Sequence, residues 1–188
     1  MTQRQRRVRD RTERGQRIVS AARDLAEAEG WDAVTTRKLA ALIEYSQPVL
    51  YSHFPGGKDA IMAAAALEGF AELATALAAA RAGGLAGVAR AYVEFADAKP
   101  ALYDAMFTLA SELPFAQEDT PSVMQDAYGG LLAVVEPVAG TQTAGILTEV
   151  FWSALHGLIT LDRGHRLSPE HREERLALVV ARFGARAD

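Results

Sequence analysis

Apolar residues recur every three or four positions along most of this chain, and this spacing constrains the fold more than any other feature. It is the spacing of an amphipathic α-helix, in which residues i, i+3, i+4 and i+7 share one face. No segment alternates apolar and polar residues for long enough to predict a strand. The sequence therefore predicts an all-α protein, with three helices at the N-terminus and a bundle of about six helices behind them.

Glycine and proline mark the expected ends of these helices. Residues 1–11 are basic and lack an apolar pattern, so we expect a disordered arm before a first helix over residues 12–29. A long Ala-rich helix is predicted from residue 58 to residue 82. Pro100 opens a further helix that we expect to reach Leu113. Another should follow Pro121 and be closed by Pro137 and Gly140.

Residues 35–58 form the most informative stretch, with the pattern of two short helices joined by a tight turn. Thr35 is placed to cap the first helix and Ser46 the second. Pro48 lies in the first turn of the second helix, where its missing N–H has no intrahelical partner. So short a connection makes the two helices cross steeply. The stretch predicts a helix-turn-helix whose second helix enters the major groove of DNA.

This stretch resembles the DNA-binding signature of the TetR family of transcriptional repressors. The matching residues are Thr35, Leu39, Ala40, Ser46, Tyr51, His53, Phe54 and Lys58. Glu44 stands where the family usually has Gly, and Tyr45 where it usually has Val. Glu44 must therefore either adopt a strained left-handed conformation or turn the chain differently.

The resemblance implies a role for each residue near the DNA. Thr35, Tyr51, His53 and Lys58 would contact phosphates, which positions the second helix without reading sequence. Arg37 suits guanine and Gln47 adenine, and Tyr45 or Ser46 would also reach base edges. His53 has the alternative of capping or stacking. The predicted DNA-binding residues are Thr35, Thr36, Arg37, Tyr45, Ser46, Gln47, Pro48, Tyr51, His53 and Lys58.

Charge is divided unevenly between the two predicted domains, a DNA-binding domain over residues 1–58 and a ligand-binding and dimerisation domain over residues 59–188. The first carries 11 Lys/Arg against 7 Asp/Glu, and the second 9 against 17, which gives +4 and −8 and the net charge of −4. An acidic body with a basic end suits a protein that touches a polyanion at one end. The basic arm of residues 1–11 would lie against phosphates or reach the minor groove, and the alternative for the arm alone is a solvated tail.

The sequence favours a cytoplasmic location. It contains no cysteine, which fits a reducing compartment and excludes disulfides. The N-terminal arginines precede no apolar segment, so we expect no signal peptide, and charged residues interrupt the Ala-rich stretch, so we expect no membrane span.

The C-terminal half carries two further predictions. Trp152, His156 and Gly157 resemble a signature of one TetR subgroup. Separately, aromatic and Met residues on the helices of the C-terminal half predict an apolar cavity with polar tips, which would bind a small apolar or aromatic effector. The same aromatic and Met residues at helical spacing also fit a plain core. The candidate ligand-binding residues are Tyr92, Phe95, Tyr103, Met106, Phe107, Met124, Tyr128, Trp152 and His156.

The helix predicted over residues 141–164 is apolar on a face too wide for one packing surface. With the last helix it supplies a surface for a two-fold interface, since a dimer places two reading helices on a palindromic operator. The alternative is that this face is buried within one subunit. The candidate interface residues are Ile146, Leu147, Val150, Phe151, Ala154, Leu158, Leu176, Val179, Val180 and Phe183.

We predict neither an enzyme nor a cofactor. The sequence lacks G-x-S-x-G, H-E-x-x-H, P-loop and G-x-G-x-x-G motifs, and its four histidines lie in different contexts without metal-ligand spacing. The sequence thus indicates a dimeric repressor released from its operator by an effector. The open alternatives are a helical interaction protein without DNA binding and a regulator without an effector.

Overall fold

A computed structural model describes residues 2–109, 113–115, 117–139 and 143–185. Within these ranges the regular structure is helical with no strand, which confirms the all-α prediction. Short 3₁₀ turns lie at Trp31–Ala33, Arg81–Gly83 and Pro169–His171, and a π-helical turn at Ala105–Leu109. The α-helices are α1 (Gln3–Glu29), α2 (Thr36–Leu42), α3 (Gln47–His53), α4 (Gly57–Ala80), α5 (Gly84–Ala98), α6 (Pro100–Asp104), α7 (Ser122–Ala139), α8 (Ala144–Arg163) and α9 (Arg172–Gly184).

The chain divides into two compact units. The first comprises residues 1–69 and 99–119, and the second comprises residues 70–98 and 120–188. The division by packing therefore falls inside α4, whereas the division by function was predicted between residues 58 and 59. The described residues between 99 and 119, which the sequence placed in the C-terminal domain, belong to the first unit.

The first unit is built on α1, whose buried face carries Ile18, Ala22 and Leu25. Trp31 is buried beside it, and its indole Nε1–H donates to the carbonyl oxygen of Ala101 at 2.7 Å. The Glu27 carboxylate accepts from the backbone N–H groups of Ala101 and Leu102 at 3.1 and 3.0 Å. Because the first N–H groups of a helix lack intrahelical partners, Glu27 caps α6.

The prediction of a disordered basic arm is wrong, because α1 begins at Gln3 and includes the arginines. A capping box starts it: the backbone N–H of Gln5 donates to Thr2 Oγ1, and the backbone N–H of Thr2 donates to Gln5 Oε1. Arg9 and Glu13 add an ion pair at 2.6 Å, one turn apart. Reciprocal capping, the ion pair and good helix formers therefore stabilise the start of α1, which has no apolar face to pack.

The second unit packs parts of α4, α5, α7, α8 and α9 around a core that includes Leu77, Tyr92, Leu131 and Phe151. Gly130 on α7 lies so close to Leu77 that an added Cβ would be 2.9 Å from the leucine Cβ.

The start of α9 is tied to its neighbours by charge. Arg172 donates to the Asp97 carboxylate at 2.6 Å, and its Nε lies 3.0 Å from an oxygen of Asp162.

One predicted helix end is wrong, and another is reached at Ala139, two residues after Pro137 and directly before Gly140. The helix that opens at Pro100 leaves the α-helical pattern after Asp104 and continues as a π turn, and Leu113 lies in a bend. Pro137 lies inside α7, which continues to Ala139. A proline so near the end removes a single ladder bond, so it does not stop the helix there. Residues 110–112 and 140–142 lie outside the described residues.

Two stretches, Gly57–Ala98 and Ala144–Arg163, are long and apolar enough to cross a membrane by composition alone. This differs from the expectation that no such run exists. Both contain core residues of the units, Leu73 and Leu77 in the first and Leu155 and Ile159 in the second. Core helices of globular proteins pass the same test.

Candidate DNA-binding interface

Helix α2 begins where the sequence predicted. Thr35 is its N-cap, and its Oγ1 accepts from the backbone N–H of Lys38 at 3.1 Å. Leu39 and Ala40 are buried, whereas Arg37 is exposed. The Lys38 ammonium lies 2.6 Å from the Glu29 carboxylate, which joins α2 to the end of α1. The helix therefore presents Arg37 to solvent from a fixed backbone.

Helix α3 has seven residues, of which Leu50 alone is buried. Gln47, Pro48, Tyr51 and Ser52 are exposed, so the helix is anchored on one side and polar on the other. Ser46 occupies the N-cap position, but its side chain makes no capping bond, contrary to prediction. Its hydroxyl is thus not committed to the helix end. A helix about 10 Å long with one polar face fits the major groove.

In the turn between α2 and α3, Glu44 adopts the left-handed conformation and does not turn the chain differently. This residue has a φ of 57°, so it adopts the left-handed conformation that a glycine would take without strain. The next N–H, of Tyr45, donates to the Ala40 carbonyl oxygen at 2.9 Å. The chain thus makes the turn that a glycine would make here, at a cost of about 1 kcal/mol in backbone strain.

Tyr45 packs against α1 rather than extending freely into solvent. Arg17 donates to its hydroxyl at 3.1 Å, and the guanidinium carbon lies 5.3 Å from the ring centroid. Both a hydrogen bond and a cation–π contact therefore hold the residue that follows the strained Glu44. Sequence reasoning assigned Tyr45 to base edges and did not find its Arg17 partner.

His53 ends α3 beside two arginines of α1. Its Nδ1 would be 3.9 Å from a Cβ built on Gly15, and Arg11 donates to the adjacent Ser52 carbonyl oxygen at 3.0 Å. Burial lowers the pKa of the His53 imidazole, and the positive charges of Arg11 and Arg14 lower it further. The imidazole is therefore neutral at pH 7, and a phosphate brought here would favour its protonation.

Tyr51 and Lys58 flank the loop that leads into α4. The Tyr51 hydroxyl lies 3.5 Å from Thr36 Oγ1, and Lys58 is half-buried in the first turn of α4. Gly57 has a φ of 63°, and a Cβ there would lie 3.4 Å from the Tyr51 ring. The backbone therefore approaches the ring closely where a phosphate-binding hydroxyl was predicted. Thr36, Tyr51 and Lys58 thus lie around the α3–α4 connection, and their contacts with phosphates stay a prediction.

Sequence reasoning missed Arg14 and Arg17 beside α3 and expected Arg11 on a disordered arm instead of in a helix. Arg11, Arg14 and Arg17 contact Ser52, His53 and Tyr45 or lie close enough to affect them electrostatically. One signal was available, because Thr2 and Gln5 have the spacing of a capping box and would have placed the helix start before the arginines.

The predicted ligand-binding residues fall in both units. Tyr103, Met106 and Phe107 belong to the first, where the rings of Tyr103 and Phe107 are 4.7 Å apart. The other six belong to the second: Tyr92, Phe95, Met124, Tyr128, Trp152 and His156.

Several of those six side chains are already engaged within the second unit. Trp152 donates to the buried Tyr92 hydroxyl at 2.8 Å, and the Tyr128 hydroxyl donates to the Gly145 carbonyl oxygen at 3.1 Å. Burial lowers the pKa of His156, helped by the charge of Arg163. A groove of about 480 Å³ in this unit lies elsewhere, between α5 and α9.

The predicted interface residues of α8 and α9 differ widely in exposure. Ile146 and Val150 are 68% and 51% exposed, whereas Phe151 is fully buried and packs on Phe183 with ring centroids 5.0 Å apart. Phe151 is therefore core and presents no surface, which corrects its assignment to the interface. The remaining members are half-buried: Leu147, Ala154, Leu158, Leu176, Val179, Val180 and Phe183.

Two family models match the chain. Residues 18–65 match the model for bacterial regulatory proteins of the tetR family, and residues 85–183 match the model for a tetracyclin repressor-like C-terminal domain. The chain belongs to the TetR family. It therefore has the fold of a DNA-binding transcriptional regulator, and the resemblance found in its sequence is confirmed at the level of the family. No curated protein is a significant match.

Solved structures with this fold include regulators and ligand-binding proteins. A Rhodococcus sp. RHA1 protein of unknown function aligns with a TM-score of 0.75 and 24% identity, covering 90% of this chain and 93% of its own. The TetR family transcriptional regulator PfmR from Thermus thermophilus gives 0.61 and 19%, covering 91% and 98%. The multidrug binding protein EbrR, complexed with imidazole, gives 0.59 and 22%, covering 93% and 97%. These likenesses concern the fold.

Proposed function

We propose that this TetR-family protein is a dimeric repressor that binds a palindromic operator through α3 and leaves it when a small apolar or aromatic molecule binds. The observation that carries DNA reading is the one-sided burial of α3. Leu50 fixes the helix, while Gln47 and Tyr51 remain exposed, and Arg11 of α1 donates to Ser52 of the same helix. Gln47 and Arg37 supply base contacts, and Tyr51, His53 and Lys58 supply phosphate contacts.

Dimerisation is supported by the outer face of α8. Ile146 and Val150 are one turn apart and largely exposed, and Leu161 further along is 46% exposed. Gly157 lies between Val150 and Leu161, and a Cβ built there would meet nothing within 4 Å. An exposed apolar stripe with a small residue in it allows a second helix to approach closely. A second copy on this stripe would complete a four-helix interface with α9.

Effector binding is proposed for the second unit, where aromatic residues come from α5, α7 and α8. The half-buried Trp152 and the buried Tyr92 form a polar pair among apolar side chains, which is the composition of many small-molecule sites. EbrR, which shares the fold, is a multidrug binding protein. An effector would enter by displacing contacts of this core.

Release from DNA requires that the effector favour a conformer with wrongly spaced reading helices. Helix α4 is suited to transmit this change, because it begins at Gly57 beside Tyr51 and continues into the second unit. We therefore propose a functional boundary after residue 58, with DNA binding before it and effector binding and dimerisation after it. A protein that reads chromosomal DNA acts in the bacterial cytoplasm.

Selection of bound sequences from random duplex DNA tests this function. We expect enrichment of a palindrome, binding that weakens steeply with salt, and loss of preference at specific bases in Gln47→Ala. A ligand screen by thermal shift, followed by operator titration, tests release. A duplex that is bound without sequence preference would contradict the proposal, and absence of any salt-dependent binding would favour a helical interaction protein instead.

A further inference from the structure

The basic N-terminal segment of α1 is a continuation of the face that packs in the first unit. Arg4, Arg7, Arg11 and Arg14 are spaced three, four and three residues apart, so they share one side of the helix. The same row continues through the buried residues Ile18, Ala22 and Leu25. We call the four arginines the arginine row. Its direction is fixed because the apolar part of the row is packed.

Charges are segregated around this part of the helix. The arginine row contains no acidic residue. The opposite side carries Arg6, Arg9, Asp10 and Glu13, and there Arg9 pairs with Glu13 at 2.6 Å. That side is neutral in sum, whereas the arginine row carries four positive charges over about 15 Å of helix. The positive field is therefore one-sided.

The arginine row is continuous with the proposed DNA-reading surface. Arg11 donates to the Ser52 carbonyl oxygen, and Arg11 and Arg14 affect His53 at the end of α3. Arg7 and Arg4 lie one and two turns further out than Arg11 and are exposed. A duplex carries one negative charge per about 1.7 Å of its axis, so a row of this length matches several phosphates.

We propose that the arginine row is a preformed, rigid phosphate-binding element that extends operator contact beyond the helix-turn-helix. This inference rests on the proposed DNA-binding function. Because the segment is a helix, it lies along the sugar-phosphate backbone instead of threading into the minor groove as a disordered arm would. It strengthens binding without adding base preference.

The test compares two charge-matched double variants, Arg4→Gln/Arg7→Gln on the arginine row and Arg6→Gln/Arg9→Gln on the opposite side. Gln is close to Arg in helix propensity, so the first variant should keep helicity and Tm, and circular dichroism checks that the second stays helical without the exposed Arg9–Glu13 pair. Operator affinity is measured over a series of salt concentrations. We expect the first variant to bind at least tenfold more weakly at ~0.1 M salt, with a salt slope smaller by about 3.6, because each of the two chains on the operator loses two phosphate contacts. The second should change the slope by less than half as much.

Equal losses in the two variants would overturn the proposal, because they would show a general charge effect. An unchanged slope in Arg4→Gln/Arg7→Gln, with the wild-type chain still binding its operator, would also overturn it and leave the proposed function intact. If the wild-type chain binds no duplex, the proposed function fails first. Binding of the row to phosphatidylserine vesicles without an effect on operator affinity would assign it to a membrane and contradict the proposal.

Discussion

The helix-turn-helix and the outer face of α8 expose opposite kinds of side chain. In α3 one apolar residue, Leu50, is buried and the exposed positions are mostly polar. In α8 Phe151 and Leu155 are buried, while Ile146 and Val150 remain exposed and apolar. Polar groups on a fixed helix suit hydrogen bonding to DNA, whereas apolar groups left outside suit association with another protein surface. One chain thus carries two surfaces with different chemistry.

The largest effect is expected when charged residues replace the exposed apolar side chains of α8. We expect Ile146→Asp/Val150→Asp to be monomeric and to lose about 100-fold or more in operator affinity, because two linked half-sites gain from effective concentration. Sedimentation and operator titration measure the two effects. Leu42→Asp is the matched control for oligomeric state, since Leu42 is similarly exposed at 58% but lies on α2. A double variant that stays dimeric would place the interface elsewhere.

Changes in the reading surface should leave the dimer intact. We expect Gln47→Ala to weaken binding of the preferred operator by about 1–3 kcal/mol while hardly affecting other sequences. Tyr51→Phe and Lys58→Ala should weaken all sequences alike, because they remove phosphate contacts. Titrations with the preferred and a scrambled duplex separate the two classes. Uniform losses in Gln47→Ala would show that this residue reads no base.

Substitution of Glu44 in the strained turn should change stability without changing the DNA-reading residues of α3. Glu44→Gly should raise the free energy of unfolding by about 0.5–1 kcal/mol, because glycine adopts a positive φ without a Cβ clash. Glu44→Ala removes the same charge but keeps the Cβ, so it should give no such gain. Thermal unfolding measures both. Equal stabilisation by the two variants would point to charge instead of backbone strain.

The smallest effect is expected from pH. Burial and Arg11 and Arg14 lower the pKa of His53, so the free protein holds it neutral, and nearby phosphates would raise that pKa in the complex. Binding then takes up a proton, and operator affinity should rise a few-fold as pH falls from about 7.5 to 6. His53→Gln should flatten this part of the profile. An unchanged profile would remove His53 from the phosphate contacts.

The helix-turn-helix of residues 35–58 could be assigned from the sequence because its cap and core positions have characteristic residue types. Thr35 caps α2 as expected, and Tyr51 lies beside the α4 start. The conformation of Glu44 could not be assigned, since both strain and a different turn were compatible with its chemistry. The helical state of residues 3–11 was missed because it depends on capping and ion pairs and not on an apolar face.

The α8 surface was only partly predictable. Ile146 and Phe151 belong to the same wide apolar face. The helical period alone does not show which part of that face packs against other helices of the same chain. Phe151 is covered and Ile146 is not. For the same reason Tyr92 and Trp152 were recognised as aromatic residues of the bundle, but their mutual hydrogen bond depends on packing between helices distant in sequence.

The stoichiometry of the DNA complex tests the central claim most directly. The selected palindromic duplex and a version with one half-site scrambled are each titrated with the wild-type chain, and the mass of the complex is measured by light scattering. We predict two chains, or a multiple of two, on the palindrome, and loss of most of the affinity on the scrambled duplex. One chain per duplex with equal affinity for both would contradict the account.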